Sequence, residues 1–90
     1  MLLHVPKLSE FFGIQIFIYG REHGVPHFHA KYQGGEIVIA IGSLAVIEGS
    51  IQGRAFGLVM EWAAMHNAAL LAAWNALQSG NSPEKIAPLK

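Results

Sequence analysis

His27-Phe28-His29-Ala30-Lys31-Tyr32-Gln33-Gly34-Gly35-Glu36-Ile37-Val38-Ile39-Ala40-Ile41-Gly42-Ser43-Leu44-Ala45-Val46-Ile47-Glu48 is the stretch that decides the fold. Two glycine-bearing breaks divide it into three short runs rich in β-branched residues. Gly34-Gly35 suits the positive φ angles of a type I′ hairpin turn, and Gly42-Ser43 puts glycine first, the type II′ pattern. Strands are therefore expected over residues 27–32, 36–41 and 44–48. With those turns at the tips, Tyr32 opposes Ile37, Ala30 opposes Ile39, and Phe28 opposes Ile41. Across the second turn Ile39 opposes Val46. Every pair is apolar, as a core-facing surface requires. The opposite face collects His27, His29 and Lys31, with Val38, Ala40 and Ile47 beside them.

Upstream, residues 11–19 read Phe-Phe-Gly-Ile-Gln-Ile-Phe-Ile-Tyr, a strand composition. Side chains alternate along a strand, so Ile14, Ile16 and Ile18 share one face and Gln15, Phe17 and Tyr19 the other. Gly20, Gly24 and Pro26 punctuate a loop over residues 20–26. Residues 1–10, with Pro6, read as a lead-in.

Downstream, residues 49–53 connect to a helical stretch over 54–78 that carries eight alanines and no proline. At 100° per residue, Ala55, Val59, Trp62, Ala63, Leu70, Ala73 and Leu77 form one apolar stripe. Gly80, Asn81 and Pro83 mark its end. Residues 82–90, with Pro83 and Pro88, are expected to be extended and on the surface. The expected architecture is a single α+β domain over residues 1–90. A four-stranded antiparallel sheet, a meander of hairpins, is backed by one long C-terminal helix. The helix covers the Phe28, Ile37, Ile39 and Leu44 side, which leaves the histidine face without a cover.

Composition limits the functions open to such a chain. Its 90 residues are 52% hydrophobic and 13% charged, with formal net charge zero. So apolar a small body favours a second copy or a partner, and a neutral chain has no long-range field to draw in nucleic acid. The absence of cysteine rules out disulfides and thiolate metal sites and fits a cytoplasmic protein. The N-terminus lacks the pattern of a signal peptide, and no apolar run reaches the ~18 residues of a membrane helix.

The chemistry-bearing segment is His23-Gly24-Val25-Pro26-His27-Phe28-His29, with three of the five histidines. His27 and His29 project from one face of a strand, and His23 lies on a loop able to fold back over them. Three neutral imidazoles make a site for zinc, copper or iron(II). Glu36, on the neighbouring strand, is the fourth candidate ligand, so His23, His27, His29 and Glu36 form the expected metal set. Without metal, His27 and His29 are candidate acid–base residues, with Lys31 nearby. Phe17, Tyr19, Arg21, Val38 and Ile47 are the candidate binding residues around them. The plainer alternative is that these histidines only hydrogen-bond to backbone or water. His66 falls at the centre of the helix stripe and reads as a buried structural histidine.

Phe11-Phe12-Gly13-Ile14, the Val25-Pro26-His27-Phe28-His29-Ala30 box with His23, Glu61-Trp62-Ala63 with His66 and Trp74, and Lys85-Ile86-Ala87-Pro88-Leu89 together resemble a family of small bacterial proteins. That family is catalogued as domain of unknown function 4160. The resemblance spans nearly the whole chain; Gly24 and Val25 depart from the lead-in typical of the family. No activity comes with it, but it implies an association with a small neighbouring protein, in some cases as a toxin–antitoxin component. The expected function is a small interaction module that presents the histidine face to a protein partner, a ligand or a second copy. The alternative is a histidine-dependent enzyme, metal-binding or not, such as a ribonuclease-like toxin.

Overall fold

The computed structural model describes residues 6–90; of the expected lead-in, residues 1–5 lie outside the described residues. The rest of that lead-in is not a lead-in at all, because Lys7–Phe11 forms the first strand, β1. It turns back through Phe12 (φ 50°) and Gly13 (φ 81°) into β2, Ile14–Phe17. The single strand expected over residues 11–19 is thus a hairpin. A two-residue turn with both φ angles positive matches strand twist, but phenylalanine seldom occupies that region, so composition hides the turn.

Three further strands follow: β3 His27–Tyr32, β4 Gly35–Ala40 and β5 Val46–Ser50. The sheet is antiparallel with the order β1-β2-β3-β4-β5, five strands rather than four. Between β3 and β4 the tip is Gln33-Gly34 (φ 47° and 81°), one residue earlier than the Gly34-Gly35 expectation. The register shifts by two, so Ala30 pairs with Ile37 and Phe28 with Ile39. A shift of two leaves every side chain on its expected face, which is why the core survives the correction. The next connection is not a two-residue turn. Leu44 N–H donates to the Ala40 carbonyl (3.0 Å) and Ala40 N–H to the Ala45 carbonyl (2.9 Å), closing a longer loop with Gly42 and Leu44 at positive φ. Ile39 still opposes Val46, and an irregularity beyond it brings Glu48 opposite Val38.

The helical stretch is two helices, α1 Gly53–Met65 and α2 Asn67–Gln78, bent at His66 (φ −121°, ψ 25°). No proline marks the bend. Next to the bend, Asn67 Oδ1, in the first turn of α2, accepts the Gly42 N–H at 2.9 Å and ties the helix to the β4–β5 loop. His66 is half-buried at the bend, its ring 5.5 Å from that of Trp62. The seven expected stripe residues are all buried, joined by Trp74. They pack on Ile14, Ile16, Ile18, Phe28 and Ile39, each fully buried. Replacing Leu70 or Ile39 by alanine is expected to cost about 2–5 kcal/mol, read as a lowered urea midpoint with unchanged slope.

The tail is extended but not superficial. Ile86 and Leu89 are buried in the core cluster. Ile86 N–H donates to the Leu8 carbonyl (2.8 Å), and the indole N–H of fully buried Trp62 donates to the Ala87 carbonyl (2.8 Å). A buried indole N–H needs an acceptor, and the tail supplies it. Among the described residues no helix is long and apolar enough to cross a membrane.

Candidate metal centre

The strand β3 alternates faces: Phe28 and Ala30 enter the core, while His27 and His29 emerge opposite. His29 lies between Phe17 of β2 and Val38 of β4, and Lys31 between Gln15 and Glu36. The β2–β3 loop then folds back over the histidines. Glu22 N–H donates to the Gly20 carbonyl at 3.0 Å, and Glu22 Oε2 accepts the Tyr19 N–H at 2.9 Å. Gln78 Nε2, at the end of α2, donates to the Glu22 carbonyl at 2.8 Å. Held at both ends, the Glu22 carboxylate reaches the imidazoles.

Glu22 Oε1 stands 2.8 Å from His27 Nε2 and 2.9 Å from His29 Nε2. On the far side of each ring Nδ1 also has a partner. His27 Nδ1 donates to the Val25 carbonyl at 2.7 Å, and His29 Nδ1 to Glu36 Oε2 at 2.8 Å. Glu36 Oε2 also accepts the Tyr19 hydroxyl at 3.3 Å. Burial pushes the Glu22 carboxyl up, but the Tyr19 N–H and then His29 and His27 outweigh it and hold the group below the usual carboxylate range.

The histidine face is therefore covered, contrary to the expectation of an open surface. The Tyr19 ring lies 4.1 Å from that of His29, and the Trp74 ring of α2 lies 5.0 Å from that of His27. Both imidazole side chains are about nine-tenths buried, at 12% and 11% accessibility. The β2–β3 loop and the second helix supply this cover, and strand periodicity carries no information about them.

Of the expected metal set, His27 and His29 come together and His23 does not; it is exposed on the loop. Glu36 reaches the cluster through His29 Nδ1. The third donor beside the two Nε2 atoms is Glu22, and the three ligand atoms lie within 4.8 Å of one another. Glu22 is not in the expected set, and its one signal in the sequence is its place just before His23 on the glycine-bearing loop. Lys31 is exposed, with Nζ 5.4 Å from the Phe17 ring centre and 5.5 Å from that of Tyr19. Arg21 lies against Gly80 at the end of α2. Val38 is half-buried opposite His29, and Ile47 is exposed on β5.

The profile of a family described as domain of unknown function, DUF4160, matches residues 13–75. The chain belongs to the DUF4160 family. The DUF4160 match takes in β2 to most of α2, and with them Tyr19, Glu22, His27, His29, Glu36 and Trp74. No curated protein and no solved structure matches the chain.

Proposed function

We propose that this chain is a small protein-interaction module that takes an extended segment of a cognate partner along β5, beside the histidine-bearing face. The observation that carries this reading is the unequal treatment of the two sheet edges. At β1 the chain's own tail lies along the edge, with Ile86 N–H on the Leu8 carbonyl and Lys85 Nζ on the Lys7 carbonyl. At β5 no strand pairs beyond the edge among the described residues, and all five residues are exposed.

An open edge offers a row of backbone donors and acceptors to another chain, and proteins that avoid such pairing guard it with charge or proline. Here Glu48 is the strand's one charge, while Val46 and Ile47 are 46% and 49% exposed. Strand addition draws affinity from main-chain hydrogen bonds and specificity from alternate side chains. The partner class we infer, a small protein encoded beside this one as in a toxin–antitoxin pair, rests on the family resemblance.

Tagged chain expressed in its source cells is expected to hold a stoichiometric partner through size-exclusion chromatography. Val46→Lys combined with Ile47→Lys is expected to lose it, with stability changed by no more than ~0.5 kcal/mol per exposed site. Equal retention by both forms, or a wild-type monomer that retains nothing, overturns the proposal.

A further inference from the structure

We propose that Glu22, His27 and His29 bind one divalent first-row transition ion, zinc or iron(II), through a carboxylate oxygen and two Nε2 atoms. The inference goes beyond the docking edge and does not depend on it. It begins from the protons. The Val25 carbonyl and the Glu36 carboxylate are acceptors only, so the Nδ1 atoms facing them at 2.7 and 2.8 Å carry the ring protons. In a neutral imidazole Nε2 then holds a lone pair. Both Nε2 atoms face one oxygen of Glu22, at 2.8 and 2.9 Å; protonated they donate to it, and with the rings neutral they present the lone pairs that a metal ion takes.

In that neutral form three donor atoms, all within 4.8 Å of one another, converge on one spot of a largely buried cluster, where one positive centre can take them together. One divalent ion satisfies all three donors and offsets the charges of Glu22 and Glu36.

The surroundings match what such a site needs. A ligating imidazole ordinarily passes its other N–H to a carboxylate or backbone carbonyl, which fixes its tautomer and raises its basicity. His29 does so with Glu36 and His27 with Val25. Two imidazoles and one carboxylate form the set that leaves coordination positions open on zinc or iron(II). Metal–ligand bonds of about 2.0–2.2 Å set donors about 3.3–3.5 Å apart in a tetrahedron. Glu22 Oε1 must therefore withdraw by about half an ångström from the 2.8 and 2.9 Å at which it stands from the two Nε2 atoms. His23 stays outside the set.

The test is titration of untagged, chelator-treated protein with Zn²⁺ and, anaerobically, Fe²⁺, followed by calorimetry, and with Co²⁺, followed by its visible ligand-field bands. One ion per chain is expected. His29→Gln and Glu22→Gln are expected to weaken binding at least about 100-fold, and Glu36→Gln, which keeps all three ligands, by about 10–100-fold. Thermal melts of the metal-free variants separate ligand loss from misfolding; if a ligand variant does not fold, Glu36→Gln carries the test. His23→Ala, and the Val46→Lys/Ile47→Lys form, should bind like the wild type, which keeps this outcome separate from that of the docking edge. Absence of a stoichiometric ion, unaltered affinity in Glu36→Gln, or an equal loss in His23→Ala overturns the proposal.

Discussion

Trp62→Ala is expected to remove about 3–5 kcal/mol, a large part of the stability of a domain this size, for which 0.05–0.15 kcal/mol per residue is ordinary. The indole is fully buried, 5.3 Å from the Phe11 ring and 6.0 Å from that of Phe28. Its N–H also holds the tail at the Ala87 carbonyl. Truncation opens a cavity among both sheet and helix side chains, and it leaves a carbonyl without its donor. Trp62→Phe largely separates the two effects, since it keeps most of the apolar contact but loses the bond to Ala87. That change should cost about 1–3 kcal/mol, the penalty for an unsatisfied buried group plus a small void. Urea melts give both values. Hydrogen exchange at the Ile86 amide, which donates to Leu8, should speed up in Trp62→Phe; unchanged protection would mean that the tail is held without the indole.

Gly49→Ala is the second large effect, about 2–5 kcal/mol in the same assay. Gly49 has φ 78°, where a side chain is strained, and a Cβ there would overlap the Glu36 carbonyl oxygen and press on the Glu36 carbon at 3.2 Å and the Ile37 Cα at 3.4 Å. The strain of a left-handed non-glycine residue is about 1–3 kcal/mol, and forced overlap in a packed region adds a comparable amount. Backbone on both sides of the contact leaves no flexible side chain to yield. Because Glu36 orients His29 through Nδ1, the variant should also perturb the His29 imidazole resonances. Gly57→Ala is its control: that helical site is open, with nothing within 4 Å of a Cβ, and it should be neutral or stabilising.

The faces of the elements were readable at once because they depend on local periodicity. Ile14, Ile16 and Ile18 against Gln15, Phe17 and Tyr19, the Phe28 and Ile39 side against the histidine side, and the whole helix stripe all stand where alternation and the 100° spacing put them. Turn positions were less legible. Phe12 and Gln33 occupy positive φ without being glycine or asparagine, so the first hairpin was hidden and the third strand pairing was placed two residues off. The helix bend is not legible for a different reason: no proline or glycine marks it, and the contact beside it joins Gly42 to Asn67, twenty-five residues apart.

The candidate site divides along the same line. That His27 and His29 share a face follows from their spacing on a strand, and that much the chain determines locally. Which carboxylate meets their Nε2 atoms depends on how the loop over residues 18–26 closes, and so on Tyr19, Gly20 and Gln78 together. Glu36 was near enough in the pairing to be noticed, but only the register directs it to Nδ1 rather than to the same point as Glu22. The tail is the extreme case: a nine-residue polar and apolar mixture with two prolines has no periodicity to read, and its place depends on Ile86 and Leu89 entering the core and on the Trp62 indole N–H of a distant helix. Side-chain alternation is a property of each segment by itself. Convergence of donors and acceptors is a property of chain closure, which the amino-acid order specifies only through the folded whole.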